Sequence, residues 1–421
     1  MTSNDPSLPV TPEASPSRVS ARITTSSLVV LLLAFTSYVL IGLPIGLLGI
    51  AWPSMQTSFQ VPLDAMGIVL LSSTIAYTVF SSITGQLVSR LGFYRLMLVT
   101  CGLIFAGLVG ESFAPVWVAL LLAVFVTSIG LGMVDAGMNL LVASRFGAGV
   151  VNWLHACFGV GATLGPILMT AVLQGGLSWR IGYRLVGLME IPLVLAIFLS
   201  RRQWNADHQE GNPSLSNPNQ VERVSLFSTL RVMAVWLALL VFIIYTGFEG
   251  TAGQWSYSIM TQAREIDAAM AGFWVSVFWA SLTAGRIIMG AVIDRIGVER
   301  TIRFSILVAM AGAVLFWWQP TIGVSVVGLA LMGFGQASIF PSMIALTPRL
   351  VGARHTANAI SLEVSVASLG GALLPGLAGI LGARYGLEAI APYLVVIVVL
   401  NWLVYEILVL HSKQKAQPGA A

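Results

Sequence analysis

Twelve apolar runs, each nearly free of charge and separated by short polar punctuation, dictate what this chain can fold into. They lie at 28–52, 66–88, 94–110, 116–142, 150–173 and 181–199, and then at 232–257, 270–293, 302–318, 322–346, 357–381 and 389–410. A helix rises about 1.5 Å per residue, so about 20 apolar residues cross the ~30 Å hydrocarbon core of a bilayer. The runs are continuous and do not alternate, which fits helices and excludes a membrane β-barrel. Composition agrees, with 57% hydrophobic and 9% charged residues, against roughly 25% charged in soluble domains. The expected fold class is an all-α integral membrane protein of twelve transmembrane helices, with the lipid bilayer as its first partner.

Charge placement then orients the chain. The formal net charge is +4, but the basic residues sit in short loops, where they act as topology signals and imply no nucleic acid. With the N-terminus inside, Arg90, Arg95, Arg145, Arg201, Arg202, Arg295, Arg300, Arg303, Arg349 and Arg354 fall on the cytoplasmic side, and the opposite loops keep only Arg180, Arg184, Arg264 and Arg384. The expectation is a multi-pass protein of the cell membrane with both termini cytoplasmic. Its parts are a disordered cytoplasmic tail at 1–25, a six-helix half at 26–200, a cytoplasmic linker at 201–228, a second half at 229–411 and a tail at 412–421. Cys101 and Cys157 both lie in apolar runs, which supports neither a disulfide framework nor a metal site. No nucleophile with a base, no phosphate-binding Gly-Lys-Ser/Thr loop and no filter-like loop is found, so the sequence argues against an enzyme, a nucleotide-driven pump and a channel. No cofactor is implied.

An internal repeat divides the twelve runs into two sixes. Gly85-Gln-Leu-Val-Ser-Arg-Leu-Gly92 aligns without gaps on Gly290-Ala-Val-Ile-Asp-Arg-Ile-Gly297, and Arg95 matches Arg300. Both copies fall in the turn after the second helix of a six-helix half, as parallel repeats about an axis along the membrane normal require.

At these residues the chain resembles the major facilitator superfamily, whose loop motif is Gly-x-Leu-x-Asp-Arg-x-Gly followed by basic residues. The resemblance implies two pseudo-symmetric six-helix halves and a cytoplasmic gate built from Gly85, Arg90 and Gly92 in one copy and Gly290, Asp294, Arg295 and Gly297 in the other. Ser89 stands where the family has Asp. Within the superfamily, Asp135-Ala-Gly-Met-Asn139 in the fourth run and Tyr245 to Trp255 in the seventh are similar to the fucose-proton symporters and their sugar-carrying relatives. That likeness implies proton coupling at Asp135. A second acid of those symporters, in the first run, is replaced by Gly49.

Ionisable groups within a bilayer cost roughly 2.5–3.5 kcal/mol each on insertion scales, so they face the bundle or a watery cavity and find partners there. The candidates are Asp135, His155, Glu190, Glu249, Arg286 and Glu363. Asp135 and Asn139 share a helical face with Ser128, either lining a cavity or forming a helix-helix seam. His155 falls at a depth similar to Asp135, which allows a carboxylate-imidazole pair; the alternative is a histidine bonded to a backbone carbonyl. Three glycines between Tyr245 and Trp255 predict a broken seventh helix around Glu249, with Gln254 and Trp255 beside it as hydrogen-bonding and stacking groups for a solute. Trp279 adds an aromatic wall. Arg286 and Glu190 read as structural, and Glu363 is either a second coupling acid or a structural one. The assignments are therefore Asn139, Glu249, Gln254, Trp255 and Trp279 for substrate, and Asp135, His155 and Glu363 for the coupling ion.

The function expected is secondary active transport of a small organic solute, a sugar or polyol, by proton-coupled alternating access. Sodium is the alternative coupling ion, and a monomer is expected. Two other functions remain open: proton-antiport efflux of drugs or metabolites, to which the run Gly161-Ala-Thr-Leu-Gly-Pro166 is faintly similar, and a membrane receptor that does not transport.

Overall fold

The computed structural model describes residues 25–146, 148–205 and 225–416. The side chains of a few of these, Asn152 and Asp294 among them, lie outside the description, as do most of the two tails and the linker expected from the sequence.

Twelve spans emerge from the described residues. Helix α1 is Thr25–Phe59. Met66–Phe113 is one 48-residue helical stretch, which at 1.5 Å per residue is about twice what a bilayer needs. Gly92 divides it, with φ 76° and ψ 161°, into α2 (66–91) and α3 (93–113). Then follow α4 (Trp117–Phe146), α5 (Ala148–Gln174) and α6 (Trp179–Leu199). The second set is α7 (Met233–Ser258), α8 (Ala268–Ile296), α9 (Val298–Trp318), α10 (Ile322–Gln336, resumed at Ile339–Val351), α11 (Thr356–Tyr385) and α12 (Ile390–Ala416).

Local chemistry marks the boundaries. Ser178 caps α6 by accepting from the Arg180 amide, and Asp267 caps α8 by accepting from the Ala269 and Met270 amides, which satisfies donors that a helix start leaves free. Gly297 makes the same turn between α8 and α9 that Gly92 makes in the first half, with φ 88°, a region that side chains with a Cβ rarely occupy. The last glycine of each motif copy is thus the residue that lets two spans join through a tight turn.

Two elements depart from expectation. The seventh helix is continuous through Glu249, and its irregular part is a π turn at Ile259–Ala263. Its glycines serve close packing instead: Gly250 meets Gly371 and Pro375 of α11, and Gly253 meets Trp279 of α8. The break lies in α10, between Gln336 and Ile339.

Helices α1–α6 pack mainly on one another, as do α7–α12. The two sets meet along three seams. In α1–α7, the Gln254 amide donates to the Ile45 carbonyl at 3.3 Å and Gly49 abuts the Gly253–Gln254 backbone. In α2–α11, Gly67 meets Gly376 and the Thr74 hydroxyl donates to Ser368. In α5–α8, Gly159 faces Thr283 and Gly272 faces Thr170. All of these contacts run from mid-span toward the end that carries Arg264. There the Arg264 guanidinium, just past the π turn that follows α7, grips Glu388 at 2.7 and 3.0 Å and reaches Ser325, tying that end of α7 to the turn before α12 and to α10. At the other end, which carries the motif loops and is called the basic end below, Arg90, Arg295, Ser361 and Val364 are exposed, and an added Cβ at Gly85 or Gly290 would meet nothing within 4 Å. Among the described residues the bundle is closed at one end and open at the basic end.

Candidate functional site: the polar opening between the halves

Asp135 sits at mid-bundle on α4, and its carboxylate is enclosed by donors from three helices. The Tyr38 hydroxyl of α1 donates to Oδ1 at 2.6 Å, the Tyr77 hydroxyl of α2 donates to Oδ2, and the Asn139 amide donates to Oδ1 at 3.1 Å. Asn139 also donates to the Tyr38 oxygen at 2.7 Å, so one amide fixes both the acid and its first donor. A carboxylate at membrane depth persists only with such partners. Asn139, expected as a substrate contact, is therefore first a group that positions Asp135. Ser128, two turns away on α4, donates to Ser73 of α2 at 2.8 Å, so that end of the stripe is a helix-helix seam.

The expected direct pair of Asp135 with His155 is not formed. Tyr38 stands between them, its ring edge-on to the imidazole at 5.6 Å. His155 nonetheless feels two opposite charges, Asp135 from its own half and Arg286 of α8 from the other. The register explains this: Gly159 meets Thr283 across the α5–α8 seam, and His155 and Arg286 lie one turn nearer the basic end. Arg286 was expected to have a structural role. It stands beside Tyr245, whose hydroxyl donates to Glu249 at 2.6 Å. Asp135, His155, Arg286 and Glu249, all half-buried, thus form a row of charged and titratable groups across the mid-bundle opening.

The remaining candidates divide. Gln254 is buried in the closed α1–α7 seam. Trp255 is fully buried, and its indole N–H donates to the Pro375 carbonyl at 2.8 Å; it pins α7 to α11 and offers no free face to a solute, contrary to expectation. Trp279 is buried against Gly253. Glu363, fully buried, accepts from Thr347 of α10 at 2.9 and 3.0 Å, which turns it away from the opening and removes the geometric case for ion coupling. Glu111 of α3 repeats that arrangement, accepting from Thr127 of α4 at 2.5 Å, and Glu190 is buried beside Cys101 of α3. In the motif loops, the Asp294 side chain lies outside the described residues. The run at Gly161 to Pro166 also has a packing explanation: Gly161 and Gly165 press on Gly42 and Gly46 of α1, as small residues do where membrane helices approach closely.

Tyr38 and Tyr77 were missed at the sequence level, although a signal existed. The motif copies are 205 positions apart, and Tyr38 and Tyr245 are 207 apart in the first helix of each half. Asp135 and Phe340 are also 205 apart, and Phe340 packs on Tyr245 at 6.3 Å between ring centres where Asp135 meets Tyr38. The repeat therefore holds one tyrosine in each half, bonded to Asp135 of α4 in the first. In the second, the α10 position matching Asp135 is Phe340, and the acid partner is Glu249 of the tyrosine's own helix.

Two six-helix halves around a polar opening closed at one end define a membrane transporter of small solutes. The chain belongs to the Major Facilitator Superfamily, whose model matches residues 34–258 and 237–420. It is 22% identical over 335 residues to the glucose/mannose transporter GlcP of Bacillus subtilis, covering 78% of this chain and 81% of that protein. It is also 22% identical over 389 residues to the human sodium-dependent glucose transporter 1, covering 83% and 73%. Among solved structures, the nucleoside transporter NupG superposes with a TM-score of 0.70 at 16% identity, over 92% of this chain and 98% of that one.

Proposed function

We propose that this transporter carries a sugar or related polyol by coupling it to protons, with Asp135 as the coupling acid and Glu249 as a substrate contact. The observation that carries the reading is the Asp135 cage, a mid-membrane carboxylate at the edge of the opening whose partners come from three helices. Asp135 and its donors all belong to the first half, whereas His155, packed on Tyr38, faces Arg286 of the second half. Rocking one half against the other changes the charge beside the cage, which links protonation to conformation. The donors also favour a proton over sodium. Hard cations take oxygen lone pairs, whereas the Asn139 amide points N–H groups into the site. The glucose-carrying relatives support the sugar class. By the basic-loop rule, the open end and both termini face the cytoplasm of the cell membrane, so the conformation is inward-facing.

The test uses purified protein in liposomes with labelled glucose, mannose and xylose, under an imposed proton gradient or a sodium gradient. Accumulation driven by the proton gradient and abolished in Asp135→Asn is the expected result. Accumulation driven by sodium alone would refute proton coupling. Failure to move any sugar would refute the substrate class and favour efflux or a receptor.

A further inference from the structure

The second half contains a buried amide that the row of charges does not use. Gln336 is fully buried on α10, and among the described residues neither its amide nitrogen nor its carbonyl oxygen has a hydrogen-bond partner. Buried polar groups are almost always satisfied, so an unpaired amide points to a ligand or a second state. Its level in the bundle follows from the helix contacts. Phe340 packs on Phe242 and Tyr245 of α7 at 5.2 and 6.3 Å. Farther from the basic end, Gln336 precedes Phe340 by four residues across the break in α10, and Glu249 lies one turn beyond Tyr245 on α7. One turn farther again, Gly253 of α7 meets Trp279 of α8, and Gly333 of α10 meets the neighbouring Phe278. The indole N–H of Trp279 is likewise buried without a partner.

We infer that Gln336, Glu249 and the Trp279 indole N–H form a hydroxyl-reading subsite, in which Gln336 distinguishes one hydroxyl of the sugar. This rests on the sugar reading above and adds the residue that sets specificity. The chemistry is complementary to a vicinal diol: the carboxylate accepts, the indole donates, and the amide does both. Tyr245 and Phe340 bound the subsite toward the basic end, and Trp279 bounds it on the other side. The break in α10 begins directly after Gln336, with Ser338 tied to Ser305 of α9 at 2.6 Å. That break lets the residue turn from its sealed position toward a bound solute as the halves close, since helix interruptions at membrane depth adjoin binding sites in transporters.

The experiment measures sugar-induced thermal stabilisation and uptake KM for the full-length protein and for Gln336→Met, which fills the same volume without an amide. Sugar-free Gln336→Met should melt higher than wild type, because an unpaired buried amide has been removed, while its sugar-induced shift should fall. Its KM should rise about tenfold to a hundredfold, the loss expected for one hydrogen bond to a buried polar group. One monodeoxy analogue of the best sugar should bind both proteins equally, and that identifies the hydroxyl read. Gln336→Asn, which keeps the amide, should recover part of the shift. If wild type is stabilised by sugar and Gln336→Met keeps the full shift and KM, the role of Gln336 is overturned alone. If no sugar stabilises wild type, the sugar reading itself fails, and this subsite with it.

Discussion

Gly49→Ala is the most informative perturbation, because it acts on one conformation and not the other. A Cβ at Gly49 would lie 2.9 Å from the Gln254 carbonyl oxygen, 3.0 Å from the Gly253 oxygen and 3.1 Å from the Gln254 Cα. Comfortable contacts between carbon atoms begin near 3.5 Å, and these atoms belong to helix backbone that cannot rotate away. Helices α1 and α7 must part by about half an ångström, and overpacking of this kind costs about 1–3 kcal/mol. The cost falls only on the state in which this seam is closed. Alanine also favours a helix over glycine by about 1 kcal/mol, but it does so in both states and cancels. The equilibrium between the basic-end-open state and its opposite should therefore shift about fivefold to 150-fold. The assay replaces Cys101 and Cys157 and introduces single cysteines at Ser361, exposed in the opening, and at Thr170, buried against Gly272. With a membrane-impermeant maleimide, Gly49→Ala should slow labelling at 361 and speed it at 170. Unchanged rates at both positions would refute the claim that the α1–α7 contact closes the bundle.

Three further outcomes follow from particular contacts. Tyr77→Phe removes one donor to Asp135 and leaves the ring in place; proton-driven accumulation should fall severalfold while sugar exchange without a gradient persists, and equal loss of both would count against a coupling role. Trp255→Phe loses the bond to the Pro375 carbonyl and should destabilise the protein by about 1–3 kcal/mol in detergent unfolding, with uptake KM unchanged; a raised KM would return Trp255 to the binding site. Glu363→Gln keeps an acceptor for Thr347 and should transport with wild-type dependence on the proton gradient, so an uncoupled variant would reinstate Glu363 as a coupling residue.

Much of the site was legible in the sequence, because burying a charge in a bilayer is costly enough to mark functional candidates. Asp135, His155 and Glu249 stand out in the sequence by that rule, and all three are half-buried at mid-bundle. The same rule could not separate Glu363 from them. Its partner, Thr347, lies on a neighbouring helix, and the pairing of Thr347 with Glu363 across α10 and α11 is a matter of helix rotation that composition does not encode. Glycines misled in a related way. Three in α7 predicted a break, but a glycine serves equally where helices must touch, and the neighbours at Gly250 and Gly253 decide for packing. The actual break in α10, at Ala337–Ser338, begins four residues before Pro341, which lacks an N–H and whose ring crowds the carbonyl of the residue four back. That signal was missed at the sequence level.

The sequence by itself determined the class of fold, the number of spans and their repeat. Each of these follows from one-dimensional facts: the length of an apolar run against the thickness of a bilayer, and the recurrence of the Gly85–Gly92 motif at Gly290–Gly297. Only the tertiary structure decided that Tyr38 and Tyr77 enclose Asp135, that Arg286 of one half faces His155 of the other, and that Gly49 lies in a seam where its partners have no room for a side chain. Those results depend on how each helix is rotated and at what depth it meets its neighbours, and that geometry is set by packing between residues far apart in the chain.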